Sequence, residues 1–288
     1  DTPNYLNEPL KQAEGTQEKA RILTLLGYSL RAAGQVEQAQ VFHQEALEIA
    51  QNAGDRPCEI ANLNHISRTH IAQKNFADAI SNSQRALVLA RQVGDRLGEA
   101  NALANLGYSE VLYARQQENM DPDQLEIPVS YLKQGLKLLE QVGTSPLDSF
   151  TVGQSQALCY NSLGIAHVIL GQFQLALSYL VKGVESAQLA GDLYLQGLNY
   201  LFLGEVAFRL NDLDFALYAS SLGMYLLEQI QSHEWRMSAS LLAILQGQLG
   251  EEGFKQALAK QRSKIIPIIG VDGYDHLPTL LEEYRRSL

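Results

Sequence analysis

A chain of 288 residues and 31.8 kDa, 46% apolar and 19% charged, can bury a sizeable core in one large domain or two ordinary ones, which excludes a disordered chain. Its formal net charge of −10 argues against a dedicated nucleic-acid binder, whose affinity rests on clustered Lys and Arg meeting phosphates, and suits a basic or exposed peptide partner better. Apolar runs such as IIPII at 265–269 fall far short of the ~20 residues of a membrane span, and no charged-then-apolar signal segment opens the chain, so no membrane span and a cytoplasmic location are expected.

The predicted elements are helices throughout. The opening, residues 1–15, reads as the second helix of a truncated preceding unit, in keeping with a first residue that is Asp1 and not Met. From residue 16 to 264 about six helix hairpins follow. Helix-embedded small residues mark them, at Gly27, Ser67, Gly107, Gly164 and Gly204, in steps of 40 with one step of 57. Twelve residues after four of these comes an alanine (Ala39, Ala79, Ala176, Ala216), and seven further on another small residue (Ala46, Ala86, Gly183, Gly223). Side chains this small let two helix axes approach closely. Polar breaks at AAGQ (32–35), AQKN (72–75), LGQF (170–173) and RLND (209–212) split each hairpin, and Leu23, Leu26, Leu30, Leu63, Ile66, Leu103 and Leu106 trace one buried stripe.

The long step contains two insertions, one enlarging the hairpin loop at 115–128 and one enlarging the exit turn at 143–153. Asp121, Asp123 and Glu126 in the first lack the glycine and closing glutamate of a calcium loop and read as a solvated acidic loop. The sixth hairpin is degenerate, with Leu245 where the glycine should be, as suits a terminal cap. Residues 265–288 complete the chain with a turn at Asp272 and Gly273 and a capping helix after Pro278.

On NLGYSEVLYA (105–114), SLGIAHVILGQFQLALSYLVKGVESA (162–187) and YLFLGEVAFRLNDLDFALYASSLGM (200–224), the sequence resembles the tetratricopeptide repeat family, in a 40-residue variant with a GD turn between units, as in bacterial proteins. The standard unit has 34 residues, and 40 by length alone would fit other helical repeats. The small-residue spacing inside each hairpin decides between them. The resemblance implies an all-α, right-handed superhelical solenoid of stacked antiparallel helix hairpins, with about six tetratricopeptide units over 16–264.

Chemistry-bearing constellations are missing. The six histidines show no i, i+4 pair, and Cys58 and Cys159 stand 101 residues apart, so both read as packing residues. Neither a nucleophile elbow nor a phosphate loop occurs. An enzyme, a metal site and a cofactor are therefore not expected.

The concave wall of such a solenoid is lined by the first helix of each unit. Offsets from the small crossing residues put Thr24, Leu25, Tyr28, Asn64, His65, Arg68, Asn101, Ala104, Asn105, Tyr108, Asn161, Ser162, Ile165, Leu201, Phe202 and Glu205 on that wall. The binding candidates are Tyr28, Asn64, His65, Arg68, Asn101, Asn105, Tyr108 and Asn161. Asparagine is an indifferent helix former, so four on one face ask for a reason. Each amide offers the donor and acceptor that a peptide backbone requires; equally, the amides cap or cross-link neighbouring helices. The resemblance favours the former, since several relatives carry an asparagine ladder on the inner wall. The terminal-carboxylate clamp of other relatives is absent, with Thr24 and Asn101 at the lysine positions. Arg31 and Arg68 are left to meet an acidic side chain. Tyr200, Phe202, Phe208 and Tyr218 read as core.

The expected function is a non-enzymatic scaffold or assembly adaptor that binds a protein or peptide segment in the concave groove. The alternative is the ligand- or peptide-sensing module of a larger bacterial signalling or transcription regulator. A third reading is a homo-oligomer joined through the last unit or the IIPII segment.

Overall fold

The computed structural model describes residues 17–32, 34–117, 121–142 and 146–287, so the helix expected over residues 1–15 lies outside them. Regular structure among these residues is entirely helical. The chain divides into two compact halves, Asp1–Gly143 and Thr144–Leu288. In the N-terminal half, α1 (Gln17–Ala32) pairs with α2 (Val36–Ala53), α3 (Arg56–Ala72) with α4 (Phe76–Val93), and α5 (Arg96–Arg115) with α6 (Glu126–Gln141). In the C-terminal half, α7 (Pro146–Ile169) pairs with α8 (Phe173–Leu189), α9 (Leu193–Arg209) with α10 (Leu213–Gln229), and α11 (Trp235–Arg286) completes the stack. Each first helix also touches the first helix of the next hairpin: α1 meets α3, α3 meets α5, α7 meets α9, and α9 meets α11.

The GD dipeptides supply two devices in two residues. Gly54, Gly94 and Gly191 take left-handed backbone with φ of 68°, 73° and 63°, which ends a helix at no steric cost. The following Asp55, Asp95 and Asp192 donate their amides to the carbonyls of Ala50, Ala90 and Ala187, each at 2.9 Å. Their carboxylates then accept from the N–H of Cys58, Gly98 and Leu195 at 3.2, 2.8 and 2.9 Å, capping the helix to come. Inside the hairpins the same job falls to Gly34, Lys74, Gly171 and Asn211, all with positive φ, and the breaks lie where the polar tetrapeptides put them.

Helix packing explains the spaced small residues. A methyl group at Gly27 would stand 2.7 Å from His43 Cε1, at Gly107 2.6 Å from Leu132 Cγ, and at Gly164 2.5 Å from Leu180 Cγ. Ser67 meets Ser83 at 2.7 Å instead. At each crossing the first helix thus lies directly beneath one side chain of the second, and Ala39, Ala46, Ala79, Ala86, Ala176 and Ala216 flank it with no exposed surface. Gly164→Ala is therefore expected to cost about 1–3 kcal/mol from overpacking, partly offset by the ~1 kcal/mol helix gain of alanine. Leu180→Ala in the same chain should recover part of that loss, a coupling that urea titration of the double-mutant cycle measures.

Two expectations about the irregular segments need correction. Residues 146–153 of the expected exit turn are helical; α7 starts at Pro146 and runs 24 residues, against 17 for α3 and α9. Proline suits the first helical position, where its missing N–H is not required. At the C-terminus the chain turns at Gly250 (φ 70°, ψ 167°) and Gly270 (φ 77°, ψ 173°), giving three helical segments, 235–249, 251–269 and 271–286. Asp272 and Gly273 are helical, and Gly273 is buried where a Cβ would lie 2.9 Å from the Tyr225 ring, so this glycine serves packing and not a turn. The loop insertion at 115–128 holds a short 3-10 turn, Pro122–Leu125, whose exposed Asp121 accepts from the Asp123 N–H at 3.1 Å.

Candidate functional site

In the N-terminal half α3 and α5 are enclosed on most sides, which turns several expected groove residues inward. Asn105 on α5 has no exposed surface, and Asn64 on α3 has 5%. The Asn105 amide nitrogen donates to the Asn64 backbone carbonyl and Oδ1, both at 3.2 Å, and Asn64 Nδ2 donates to the Gly98 carbonyl at 3.3 Å. Asn105 Oδ1 accepts from Arg68 Nε at 2.9 Å, which fixes the guanidinium's direction. These two amides join α3 to α5. Tyr108 is also buried, and Asn101, one turn before Asn105, is half-buried.

A second polar cluster lies between α1, α2 and α3. Asn62 is fully buried and gives its amide nitrogen to Thr24 Oγ1 and the Cys58 carbonyl, both at 2.9 Å. Thr24 Oγ1 in turn donates to the Ala20 carbonyl at 2.7 Å, so Asn62 Oδ1 is left to accept from His43 Nδ1 at 3.2 Å. That assigns the His43 proton to Nδ1. The His43 ring stacks on His65 at 4.8 Å with 12° between planes. Tyr28 meets His65 edge-on at 6.1 Å, and the Arg31 guanidinium lies 5.6 Å from the Tyr28 ring centre. Burial pushes His43 down to about 4, with the Asn62 hydrogen bond opposing and Arg31 adding to the fall. His65 is held well below the usual histidine range by burial first, then by His43, Arg68 and Arg31. Tyr28, Arg31, His65 and Arg68 keep part of their surface in solvent, whereas His43 beneath them has none.

The C-terminal half repeats the amide device. Asn161 is fully buried and donates to Asn199 Oδ1 at 3.3 Å, and Asn199 donates to the Leu195 carbonyl at 2.8 Å. Asn161 occupies the place of Thr24, three residues before a crossing glycine, and Asn199 that of Asn62, five before the next crossing residue. Asn62, Asn199 and His43 were not among the residues singled out from the sequence; the shared offset of Asn62 and Asn199 is the signal that would have found the first two. Ser162 and Ile165 are buried, as are Leu201, Phe202 and Tyr200, and Tyr200 packs edge-on to Tyr218 at 6.2 Å.

Among the described residues no three His, Cys, Asp or Glu side chains come together as a metal site, and no helix is long and apolar enough to cross a membrane. Cys58 and Cys159 are buried thiols, and burial pushes Cys58 above its ordinary range.

Residues 18–92, which take in the first two hairpins, match the tetratricopeptide repeat family. No curated protein matches the sequence. One similar solved structure is a signal transduction ATPase with numerous domains carrying a tetratricopeptide repeat sensor, from Pyrococcus horikoshii, at 16% identity and a TM-score of 0.52. The match covers 98% of this chain and 40% of that protein, so the chain spans well under half of its length. A second is the apo form of RapI, at 13% identity and a TM-score of 0.50, covering 99% of this chain and 85% of that one. Both are likenesses of fold alone.

Proposed function

We propose that this chain is a non-catalytic recognition module that holds an extended protein or peptide segment along the first helices of its hairpins. One observation carries the reading: Tyr28, His65, Arg68 and Asn101 stay partly exposed on α1, α3 and α5 while the buried amides beneath them lock those helices together. A wall fixed in this way leaves the ordering cost with the arriving segment and gives aromatic and guanidinium anchors a set direction. In this reading Asn64, Asn105, Tyr108 and Asn161 support the wall, and Tyr28, His65, Arg68 and Asn101 meet the ligand. The 40-residue GD spacing is that of the longer tetratricopeptide variant, in a bacterial protein.

A second reading, the sensing module of a larger regulator, is favoured by the likeness to a multidomain ATPase whose tetratricopeptide part is a sensor and of which this chain covers 40%. Affinity capture from the native cell tests the groove. The wild-type chain is expected to retain partners that a Tyr28→Ala, Arg68→Ala, Asn101→Ala triple variant loses. Retention at wild-type strength by a folded triple variant would remove the groove reading. Light scattering of the chain with and without 265–288 tests the homo-oligomer reading, which needs an assembly that the deletion abolishes.

A further inference from the structure

We infer that two copies of this chain pair through segment 251–269 of α11, laid antiparallel about a two-fold axis level with Ala257 and Leu258. This rests on the homo-oligomer reading above and names its face, independently of the groove.

The segment is set off from the rest of α11 at both ends. Gly250 and Gly270 have φ of 70° and 77° with ψ of 167° and 173°, a backbone region open in practice to glycine alone. Between them Phe254, Leu258, Gln261 and Ile265 are buried, at the i, i+4, i+7, i+11 spacing of one helix face. The opposite face carries Glu252, Gln256, Ala259 and Ser263, all exposed. Lys255 and Arg262 flank that face on one side, and Lys260 and Lys264 on the other, again all exposed.

Charge is divided along this helix. Its two acids, Glu251 and Glu252, lie in the first turn, whereas 253–271 holds four of the chain's 22 Lys and Arg and none of its 32 Asp and Glu. Lys255 pairs with Glu251 at 3.3 Å, and Arg262 lies 5.4 Å from the Tyr274 ring centre. No carboxylate among the described residues pairs with Lys260, Arg262 or Lys264. Exposed cations without a counter-charge, on a chain of net charge −10, find complementary acid on a second copy of that chain.

A helix with acids at its start and bases at its end is complementary to itself when reversed. About the stated axis Gln256 meets Ala259 of the second copy, and Glu252 meets Ser263, between Arg262 and Lys264. Symmetry makes each contact twice. A parallel arrangement would set acid on acid and base on base, which excludes it. Ala259 and Ser263 are small enough for the two axes to approach closely, and partly exposed Ile266 adds apolar contact at each end. Repulsion between the two net charges is screened over about 8 Å at physiological salt, so the pairs in contact decide.

Sedimentation velocity of the full chain, from micromolar to near-millimolar concentration, reads the association. The wild type should form a dimer. Glu251→Lys with Glu252→Lys should weaken it at least tenfold, as should Lys260→Glu with Arg262→Glu and Lys264→Glu. An equimolar mixture of the two variants should restore wild-type affinity to within about threefold, because each supplies the charge the other lacks. Ala259→Trp, bulky and uncharged at the centre of the face, should abolish pairing at any ionic strength. Circular dichroism checks that each variant folds; if the triple variant unfolds, Ala259→Trp and the double variant carry the test. Dimers that survive the charge variants and Ala259→Trp overturn this face and leave the homo-oligomer reading with another surface. Variants that fail singly and stay apart when mixed overturn the antiparallel pairing. A wild-type chain that stays monomeric overturns both readings and returns the basic face to an acidic partner of another kind.

Discussion

Lowering the pH from 7.5 to 4.5 is expected to destabilise the N-terminal half by about 2–3 kcal/mol through His43 alone. His43 is enclosed and neutral in the fold, with its pKa pushed down to about 4 from 6.5. The unfolded chain takes up a proton as the pH falls through about 6.5, while the folded chain does not until about 4. Stability is therefore level above that window, falls steadily within it, and levels off below it. His65, depressed in the same direction, adds to the loss. Guanidinium titrations followed by circular dichroism at several pH values measure the effect. Fluorescence of Trp235, the one tryptophan, lies in the C-terminal half and reports separately on that half. His43→Leu should flatten the pH slope, because leucine already fills this place over Gly107 and Gly164. An equally steep slope in that variant would show that the acid sensitivity arises elsewhere.

Asn105→Ala is expected to cost about 2–4 kcal/mol, more than an ordinary surface substitution by several fold. The change strips Arg68 Nε of its acceptor and leaves the Asn64 carbonyl and side-chain oxygen without the donor they share. The loss of an acceptor for the charged Arg68 Nε in a half-buried site is the larger part of that cost. Asn101→Ala, one turn away on the same helix and half-buried, should stay within about 0.5 kcal/mol. Urea titration of the two variants separates an amide that holds helices together from one that faces a ligand. Equal small effects would return Asn105 to the ligand side of the account.

Much of the architecture could be read from residue spacing, because each hairpin repeats the same steric demand. A small residue under a crossing, a left-handed residue at a break and an aspartate after an exit glycine are local requirements, and local requirements leave local traces. The direction of the asparagines was harder to read. An offset from Gly27 or Gly164 fixes a helix face, but a first helix clasped by its partner and by the next first helix has little free face, so Asn64, Asn105 and Asn161 point at protein. His43 escaped notice for a related reason. It stands on a second helix, and its significance depends on Asn62 and His65, which are 19 and 22 residues further along the chain. The insertion at 143–153 misled because proline and glycine suggest turns, although proline also starts helices.

Three kinds of side chain share the place over the five crossing residues: His43 over Gly27, Ser83 beside Ser67 and Ser220 over Gly204, and Leu132 over Gly107 and Leu180 over Gly164. Chains of near-identical hairpins risk exchanging partners as they fold, since any first helix can collapse onto any second one. Here a swapped pairing would press an imidazole onto a hydroxyl or a leucine against a serine, and the mismatch penalises the wrong neighbour. The variation at one position thus sorts imidazole, hydroxyl and leucine pairings from one another, so that neighbouring hairpins of one backbone plan within the first three do not share a mate.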